Sequence, residues 1–274
     1  MGDQGFELER PAESIPQGIE YANKAIELDD SLVNPYTYAG IMKLNYEWDW
    51  VGAETCFNRA LSISHNDAYA HMQYSMYFES LGDNNRAIEE AQLARQVDPL
   101  SREVMMNLAW QYYQADLLPE AHTLLEHLLE NEPDFWGAYW DIAHIYMAKG
   151  QYEQAIQTFK KADDSTGAYI MSLRGLGYAY AMNGEKSEAV KVIKELQHIQ
   201  KDNYVSPYYF ATIYMGLNQI DQTFKYLEQA YEDRSRSLVW LNVAKEYMPL
   251  KEDRRFHELI ERIGIPSSIP QYCY

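Results

Sequence analysis

Histidines close to carboxylates are the first candidates for chemistry in this sequence. Asp141 and His144 are three residues apart, a spacing that places both side chains on one face of a helix. Such a carboxylate–imidazole pair could act as a general base. Because the surrounding pattern supplies no nucleophile, a hydrogen-bonded histidine is the simpler interpretation. We therefore predict that the chain is not an enzyme and has no catalytic residues.

Metal, phosphate and thiol chemistry have weaker support in the sequence. His122 and His127 are five residues apart, whereas two ligands on one helix need a spacing of four. Gly175-Leu-Gly177 lacks the strand that precedes a phosphate loop. Cys56 and Cys273 do not make a disulfide framework, and Cys56 is expected to be a small buried side chain. The sequence predicts no metal site and no cofactor.

The net charge of −18 is concentrated in the first half of the chain. Residues 1–135 contain 24 acidic and 7 basic side chains, whereas residues 136–274 contain 17 and 16. A surface of this sign repels phosphate, so we expect no direct binding of nucleic acid. Acidic side chains commonly keep helix surfaces soluble. Alternatively, they steer a neutral or basic partner towards this half.

Targeting signals are not evident. No apolar run approaches the roughly 18–20 residues of a membrane span, and residues 1–10 lack the basic and apolar pattern of a signal peptide. We expect a cytoplasmic protein that does not enter a membrane.

Small and aromatic residues recur along the chain with a period of 34. Small residues at fixed intervals let two helices approach closely, and aromatic residues fill the space between them. One column is Ala53, Ala87, Ala121, Ala155, Ala189 and Thr223; a second is Ala60, Ala94, Leu128, Ala162, Leu196 and Ala230; a third is Gly40, Ser75, Ala109, Ala143, Gly177 and Ala211; and the aromatic column is Phe78, Tyr112, Tyr146, Tyr180 and Tyr214.

These columns resemble the tetratricopeptide repeat (TPR) family, whose period is 34 residues. The resemblance implies an all-α fold, a right-handed α-solenoid of antiparallel helix pairs in which each helix A lines a concave surface. The predicted organisation is a lead with a partial repeat helix at 1–32, six repeats at 33–67, 68–101, 102–135, 136–169, 170–203 and 204–237, capping helices at 238–266 that lie over the last repeat, and a tail at 267–274.

A narrower resemblance comes from the two ends of the repeat array. The first repeat has one extra residue within 46–50, and the array is followed by Met248-Pro-Leu250 and Ile263-Gly-Ile-Pro266. Together with the alanine columns, these features are similar to the C-terminal TPR region of bacterial multidomain regulators, in which repeats follow a winged-helix, cyclase or kinase domain. This resemblance implies an alternative function, a sensor or regulatory segment of a larger signalling or transcription-regulating protein.

The TPR resemblance also implies which residues face the groove, at positions 5, 9 and 12 of each helix A. These positions are rich in methionine and aromatic residues, and exposed apolar surface commonly marks a binding site. Filling by the chain's own tail, contact with a second copy of the chain, and ordinary packing are the alternatives. The predicted groove residues are Met72, Met76, Met106, Trp110, Tyr113, Trp140, His144, Met147, Arg174, Tyr178 and Tyr208.

One known TPR function has no support in these residues. TPR co-chaperones hold a C-terminal carboxylate with a clamp of Lys, Asn and Arg, but Met72 and Met76 occupy clamp positions here. Arg174 is the only cation at position 5. The prediction that remains is a non-enzymatic scaffold that binds a protein or a peptide.

Overall fold

The computed structural model describes residues 10–162 and 169–266, and within these ranges the chain is helical without strands. A π-helical turn, Lys43–Glu47, continues the second α-helix, and two 3-10 helices, Arg236–Trp240 and Lys245–Leu250, precede the last one. The α-helices are α1 (Pro11–Leu28), α2 (Val33–Met42), α3 (Trp50–Ile63), α4 (Ala68–Ser80), α5 (Asn84–Val97), α6 (Arg102–Gln114), α7 (Leu118–Asn131), α8 (Trp136–Ala148), α9 (Tyr152–Ala162), α10 (Tyr169–Met182), α11 (Lys186–Ile199), α12 (Pro207–Gly216), α13 (Ile220–Glu232) and α14 (Arg254–Ile263).

The helices cluster into two compact units. One unit is continuous in sequence and contains residues 117–235, with helices α7 to α13. The other is discontinuous and combines residues 11–116 with residues 236–266, so that α1 to α6 fold together with α14. We call residues 236–266 the C-terminal segment.

Polar side chains define where helices begin in the discontinuous unit. The Asp49 carboxylate accepts a hydrogen bond from the Gly52 N–H at 2.9 Å, and the Asp67 carboxylate accepts one from the Ala70 N–H at 2.8 Å. Each such N-cap stabilises a helix by about 1 kcal/mol because it satisfies a backbone donor that has no partner inside the helix. The caps start α3 and α4 within a few residues of the preceding turns.

A left-handed residue closes the turn between the first and second helix of every pair. Its φ lies between 57° and 82°, a conformation that glycine adopts without strain and other residues seldom adopt. The six positions are spaced 34 residues apart, at Trp48, Gly82, Asp116, Gly150, Gly184 and Asn218. Half of them hold residues other than glycine.

The small-residue columns lie at contacts between helices, within pairs and between neighbouring pairs. Ala53, Ala87, Ala121, Ala155 and Ala189 are all 0% exposed. At a third-column position, a Cβ added to Gly177 would lie 2.6 Å from Cδ1 of Ile213, so α10 and α12 approach too closely there for a side chain. The repeat columns therefore mark the contacts between helices.

The extra residue of the first repeat is accommodated by the π-helical turn. Lys43–Glu47 widens the end of α2, the first helix of the first repeat, and Trp48, with φ of 58°, ends it. Such single turns absorb an inserted residue without breaking the helix. As a result, Trp48 and Trp50 are both buried.

The C-terminal segment belongs to the discontinuous unit, whose other residues precede position 117. Its predicted role as a cap over the sixth repeat stays a prediction. Within the discontinuous unit, the Trp50 indole N–H donates to the Ile263 carbonyl at 3.3 Å. The apolar face of α14, Phe256, Leu259 and Ile263, is 0–1% exposed. Burial of this face accounts for the position of the segment.

Candidate functional site

The predicted groove residues fall in both units, always on the first helix of a pair. Those of the discontinuous unit lie on α4 and α6, and those of the continuous unit lie on α8, α10 and α12. The first set is Met72, Met76, Met106, Trp110 and Tyr113; the second is Trp140, His144, Met147, Arg174, Tyr178 and Tyr208.

Met72 is a core residue rather than a surface residue. It is 7% exposed and packs in a cluster with Ala94 and Val104, which joins α4 to the helices that follow it. Met76 and Met106 are partly buried. Met72 therefore contributes to packing between pairs.

Trp110 is held by a buried carboxylate of its own unit. The Trp110 indole N–H donates to Glu79 Oε1 at 2.8 Å. The side-chain amides of Gln111 and Gln114 donate to the same carboxylate at 3.1 and 2.9 Å. Glu79 is 4% exposed, and its burial raises the pKa of the carboxyl despite the three donors. The network ties α6 to α4 and fixes the orientation of the Trp110 ring.

Tyr113 is covered by Lys245 of the C-terminal segment. The Lys245 ammonium donates to the Tyr113 carbonyl oxygen at 2.9 Å and lies 4.4 Å from the centre of its ring. It also forms an ion pair with Asp116, the left-handed residue in the turn between α6 and α7. Tyr113 is 7% exposed as a consequence. Of the alternatives to a ligand groove, ordinary packing against another part of the chain therefore describes Tyr113. The alternative of filling by the tail concerns residues 267–274, which lie outside the described residues.

In the continuous unit, an aromatic cluster surrounds a cation. The ring centres of Trp140 and His144 are 3.9 Å apart on α8. The Arg174 guanidinium carbon, on α10, lies 5.5 Å from the Trp140 ring and 5.5 Å from the ring of Tyr209 on α12. Three successive first helices therefore contribute to one cluster. We call Trp140, His144, Arg174 and Tyr209 the arginine cluster.

Trp140 is more buried than the sequence predicts. The sequence treats it as an exposed anchor, yet it is 8% exposed. The reason is local: the imidazole of its own helix and the guanidinium of the next first helix lie against its ring. Trp140 is therefore a packed residue of the arginine cluster and not an exposed side chain.

His144 is uncharged at neutral pH. Its Nδ1 donates a hydrogen bond to the Trp140 carbonyl oxygen at 2.9 Å. Burial, together with the positive charge of Arg174, lowers the pKa of His144 to about 3. An imidazole with this pKa is too weak a base to abstract a proton at neutral pH. The Asp141–His144 pattern is therefore not a general base in this conformation.

Arg174 contacts aromatic side chains of two neighbouring first helices. Among the residues that the structure describes, no carboxylate lies within ion-pair distance of its guanidinium. The cluster thus presents a permanent positive charge in aromatic surroundings.

The remaining predicted residues of this unit differ in exposure. Tyr208 is 2% exposed and belongs to the core, whereas Met147 and Tyr178 are partly buried. A Cβ added to Gly216 would lie 2.8 Å from Cδ2 of Tyr178, so α12 approaches that ring closely. Met147 and Tyr178 are the apolar side chains of the predicted set that retain accessible surface here.

The other residues considered for chemistry, His122 and Cys56, have surroundings that do not activate them for a reaction. His122 pairs with Glu126 at 3.3 Å, and burial raises the pKa of the Cys56 thiol. Within residues 10–162 and 169–266, no group of three His, Cys, Asp or Glu side chains is placed to hold a metal ion. Cys273 lies outside the described residues.

The described helices also bear on membrane insertion. None of them combines the length and the apolar character that a transmembrane helix requires.

Three important residues were missed at the sequence level. Glu79 and Lys245 are charged residues whose partners lie on other helices, and Tyr209 follows a predicted groove residue by one position. Only Glu79 carried a signal, because it stands at position 12 of its repeat, where the neighbouring repeats have Leu44 and Tyr113.

Comparison with known proteins agrees with this architecture. Residues 118–168 match the family model of the tetratricopeptide repeat. A tetratricopeptide repeat protein from Parabacteroides merdae is similar in structure, with a TM-score of 0.61 and 14% identity over 86% of this chain and 93% of that chain. TTC0263, a TPR protein of Thermus thermophilus, has a TM-score of 0.52 and 19% identity over 72% of this chain and 97% of that chain.

A third structure extends the likeness over more of the sequence. It is the APC/C hetero-tetramer Cut9–Hcn1, with a TM-score of 0.61 and 14% identity over 93% of this chain and 47% of that chain. No match was found among curated proteins. The predicted fold class, an all-α solenoid of TPR helix pairs, is confirmed. The narrower resemblance to bacterial multidomain regulators stays a prediction.

Proposed function

We propose that the chain is a non-enzymatic protein-interaction scaffold, and that α8, α10 and α12 present the surface that binds a peptide or a partner helix. The observation that carries this proposal is the arginine cluster, to which all three first helices contribute. A surface built from rigid helices is already ordered before the partner arrives, which reduces the entropic cost of binding.

The accessible side chains of this surface suit a peptide. Met147 and Tyr178 are partly buried and flank the cluster on α8 and α10. Flexible methionine adapts to the shape of a partner, whereas tyrosine provides a rigid contact with a polar end. A repeat scaffold commonly uses such a surface to hold an extended segment or a helix.

The absence of catalysis is supported by the protonation state of His144. With its pKa lowered to about 3, this imidazole neither accepts a proton efficiently nor carries a charge at neutral pH. Recognition therefore fits the arrangement better than acid–base chemistry does.

The overall charge of the partner follows from the acidic first part of the chain. Residues 11–116 contain 16 acidic and 6 basic side chains. The C-terminal segment, which packs with them, contains 5 acidic and 6 basic side chains. A neutral or basic partner protein remains our proposal, because a strongly acidic one would be repelled during its approach.

A peptide-display experiment tests the proposed function. Peptides selected on the intact chain are synthesised, and their affinities are measured for the parent and for Tyr178→Ala, Met147→Ala and the double variant. We expect the double variant to bind at least about tenfold more weakly, since partly buried apolar anchors contribute on the order of 1–2 kcal/mol each.

Tyr21→Ala is the matched control. Tyr21 is 64% exposed on α1 of the discontinuous unit, so its removal deletes an exposed aromatic ring outside α8, α10 and α12. It should leave peptide affinity unchanged. Equal affinity of the parent and the double variant, with helical content preserved, would place the binding surface elsewhere.

A further inference from the structure

Within the part of the chain that the structure describes, the cation of the arginine cluster has no acidic partner, whereas several other basic side chains form ion pairs. Lys191 forms an ion pair with Glu188 at 2.7 Å in the same unit, and Lys43 forms one with Asp49 at 2.8 Å in the other unit. Arg174 contacts two aromatic rings instead, and no carboxylate of the described residues reaches it.

The rings fix the guanidinium without neutralising it. Trp140 and Tyr209 hold it from two neighbouring helices, and cation–π contacts leave the N–H groups at its edge available to an acceptor. A planar guanidinium held in this way matches a carboxylate, which accepts two parallel hydrogen bonds from it.

The surroundings favour a carboxylate from a protein rather than a small inorganic anion. Aromatic rings and the uncharged His144 border the guanidinium, and no second cation of the described residues joins it in the cluster. A phosphate group carries more charge and is commonly bound by several cations or backbone N–H groups. One cation among apolar groups fits one acidic side chain with apolar neighbours.

We propose that Arg174 binds the side-chain carboxylate of an Asp or Glu residue within an otherwise apolar segment of a partner peptide. This inference rests on the proposed function and specifies its chemistry. It is compatible with a partner of neutral or positive net charge, because a single acidic residue between apolar ones is sufficient for recognition.

Matched peptides test the inference. The probes are short fluorescent peptides, N-acetylated and C-amidated, that contain Leu and Phe around one central Glu, and the same peptides with Gln in its place. Fluorescence anisotropy gives their affinities for the intact chain. We expect the Glu peptides to bind at least about tenfold more tightly, since a hydrogen-bonded charge pair is stronger than its neutral counterpart.

Variants of the chain assign this preference to one side chain. In Arg174→Gln, the Glu and Gln peptides should bind equally, at the affinity that the parent has for the Gln peptide. Arg174→Lys should retain only part of the preference, because it keeps the charge and loses the planar fork. Lys194→Gln removes the same charge from an exposed site on α11 and should keep the full preference.

Three outcomes would overturn the inference. If the parent binds Gln and Glu peptides equally, the proposed function stands and the role of Arg174 is wrong. If a peptide without Glu but with a free C-terminal carboxylate binds more tightly than the amidated Glu peptide, the source of the carboxylate is wrong. If no peptide binds at all, the inference and the proposed function fail together.

Discussion

The two units use aromatic residues of their first helices in different ways. In the discontinuous unit, Trp110 donates to Glu79 and Tyr113 is covered by Lys245, so both side chains have polar or charged partners within the chain. In the continuous unit, Trp140 supports Arg174, whose charge meets no carboxylate among the described residues. Aromatic residues of the first helices therefore have partners within the chain in one unit, and we propose that they support a recognition surface in the other.

The difference comes from the charged residues nearby rather than from the aromatic ones. Each unit contains a tryptophan on a first helix, but the indole of Trp110 donates to the Glu79 carboxylate, whereas the ring of Trp140 contacts the Arg174 guanidinium. Aromatic residues at predicted groove positions alone thus do not identify a binding groove; the polar groups that contact them decide. The following predictions test this contrast, from the largest effect to the smallest.

The alanine column should behave identically in both units. Ala87→Asp and Ala121→Asp each place a carboxylate where the parent side chain is 0% exposed. Burial of an unpaired charge costs several kcal/mol, about the whole stability of a domain. We expect both variants to lose most of their cooperative unfolding transition in urea. Ala148→Asp, at an exposed position at the end of α8, is the control and should change stability by less than about 1 kcal/mol.

Removal of the charged side chain that contacts the tryptophan should reduce stability mainly in the discontinuous unit. Glu79→Ala leaves the donors of Trp110, Gln111 and Gln114 without their acceptor and should cost about 3 kcal/mol of unfolding free energy. Arg174→Ala removes the cation–π contacts with Trp140 and Tyr209 and should cost less than about 1 kcal/mol. Urea denaturation followed by circular dichroism measures both. Equal losses would show that Arg174 has a structural role like that of Glu79.

Two histidines should give stability changes of opposite sign as the pH falls. Burial alone would lower the pKa of His71, but hydrogen bonds with Glu90 at 2.6 Å and with the His65 carbonyl raise it above its usual value. Its contribution is therefore fully present below pH about 6.5 and is lost as the pH rises through the raised pKa. Burial and Arg174 lower the pKa of His144 to about 3. Its contribution is instead lost as the pH falls below about 6.5, at up to about 1.4 kcal/mol per pH unit.

Denaturation at about pH 7.5 and about pH 5.5 separates these two histidines. The stability of the parent relative to His71→Asn should be greater at the lower pH. The stability of the parent relative to His144→Asn should be smaller there. A change of the same sign in both comparisons would contradict the assigned protonation states.

The contact between Lys245 and α6 should have a modest effect. Its ion pair with Asp116 is solvent-exposed, so most of the contribution comes from the bond to the Tyr113 carbonyl and from the ring. Lys245→Ala should cost about 1 kcal/mol, whereas Lys194→Ala, at an exposed position, should stay within about 0.5 kcal/mol of the parent. A loss no larger than that of Lys194→Ala would remove the lysine as a contributor to this unit.

The sequence predicted the helix pairs well because their determinants are local. Small residues such as Ala53 and Ala87 repeat every 34 residues, and helix contact needs them at that interval. The left-handed turn positions follow the same interval, although Trp48 and Asp116 conceal it because neither is glycine.

The candidate site was only partly predictable, because exposure depends on distant residues. Arg174 and Trp140 were identified from their repeat positions, but the burial of Trp140 results from a neighbouring helix. Lys245 is 132 residues from Tyr113 and belongs to a 3-10 helix that no repeat pattern describes. Spacing therefore identified the faces of the helices, and the partners of each face required the structure.

The hydrogen bond from Trp50 to Ile263 has a consequence for how the chain is made. It joins residues 213 positions apart, whereas the contacts in a repeat array are mostly between neighbours. During synthesis, all residues of the continuous unit leave the ribosome before α14 does. The discontinuous unit cannot be completed until α14 has emerged. Until then, the apolar surfaces that α14 covers remain exposed to solvent. In a ribosome-bound chain, the part made first is therefore the part that matures last.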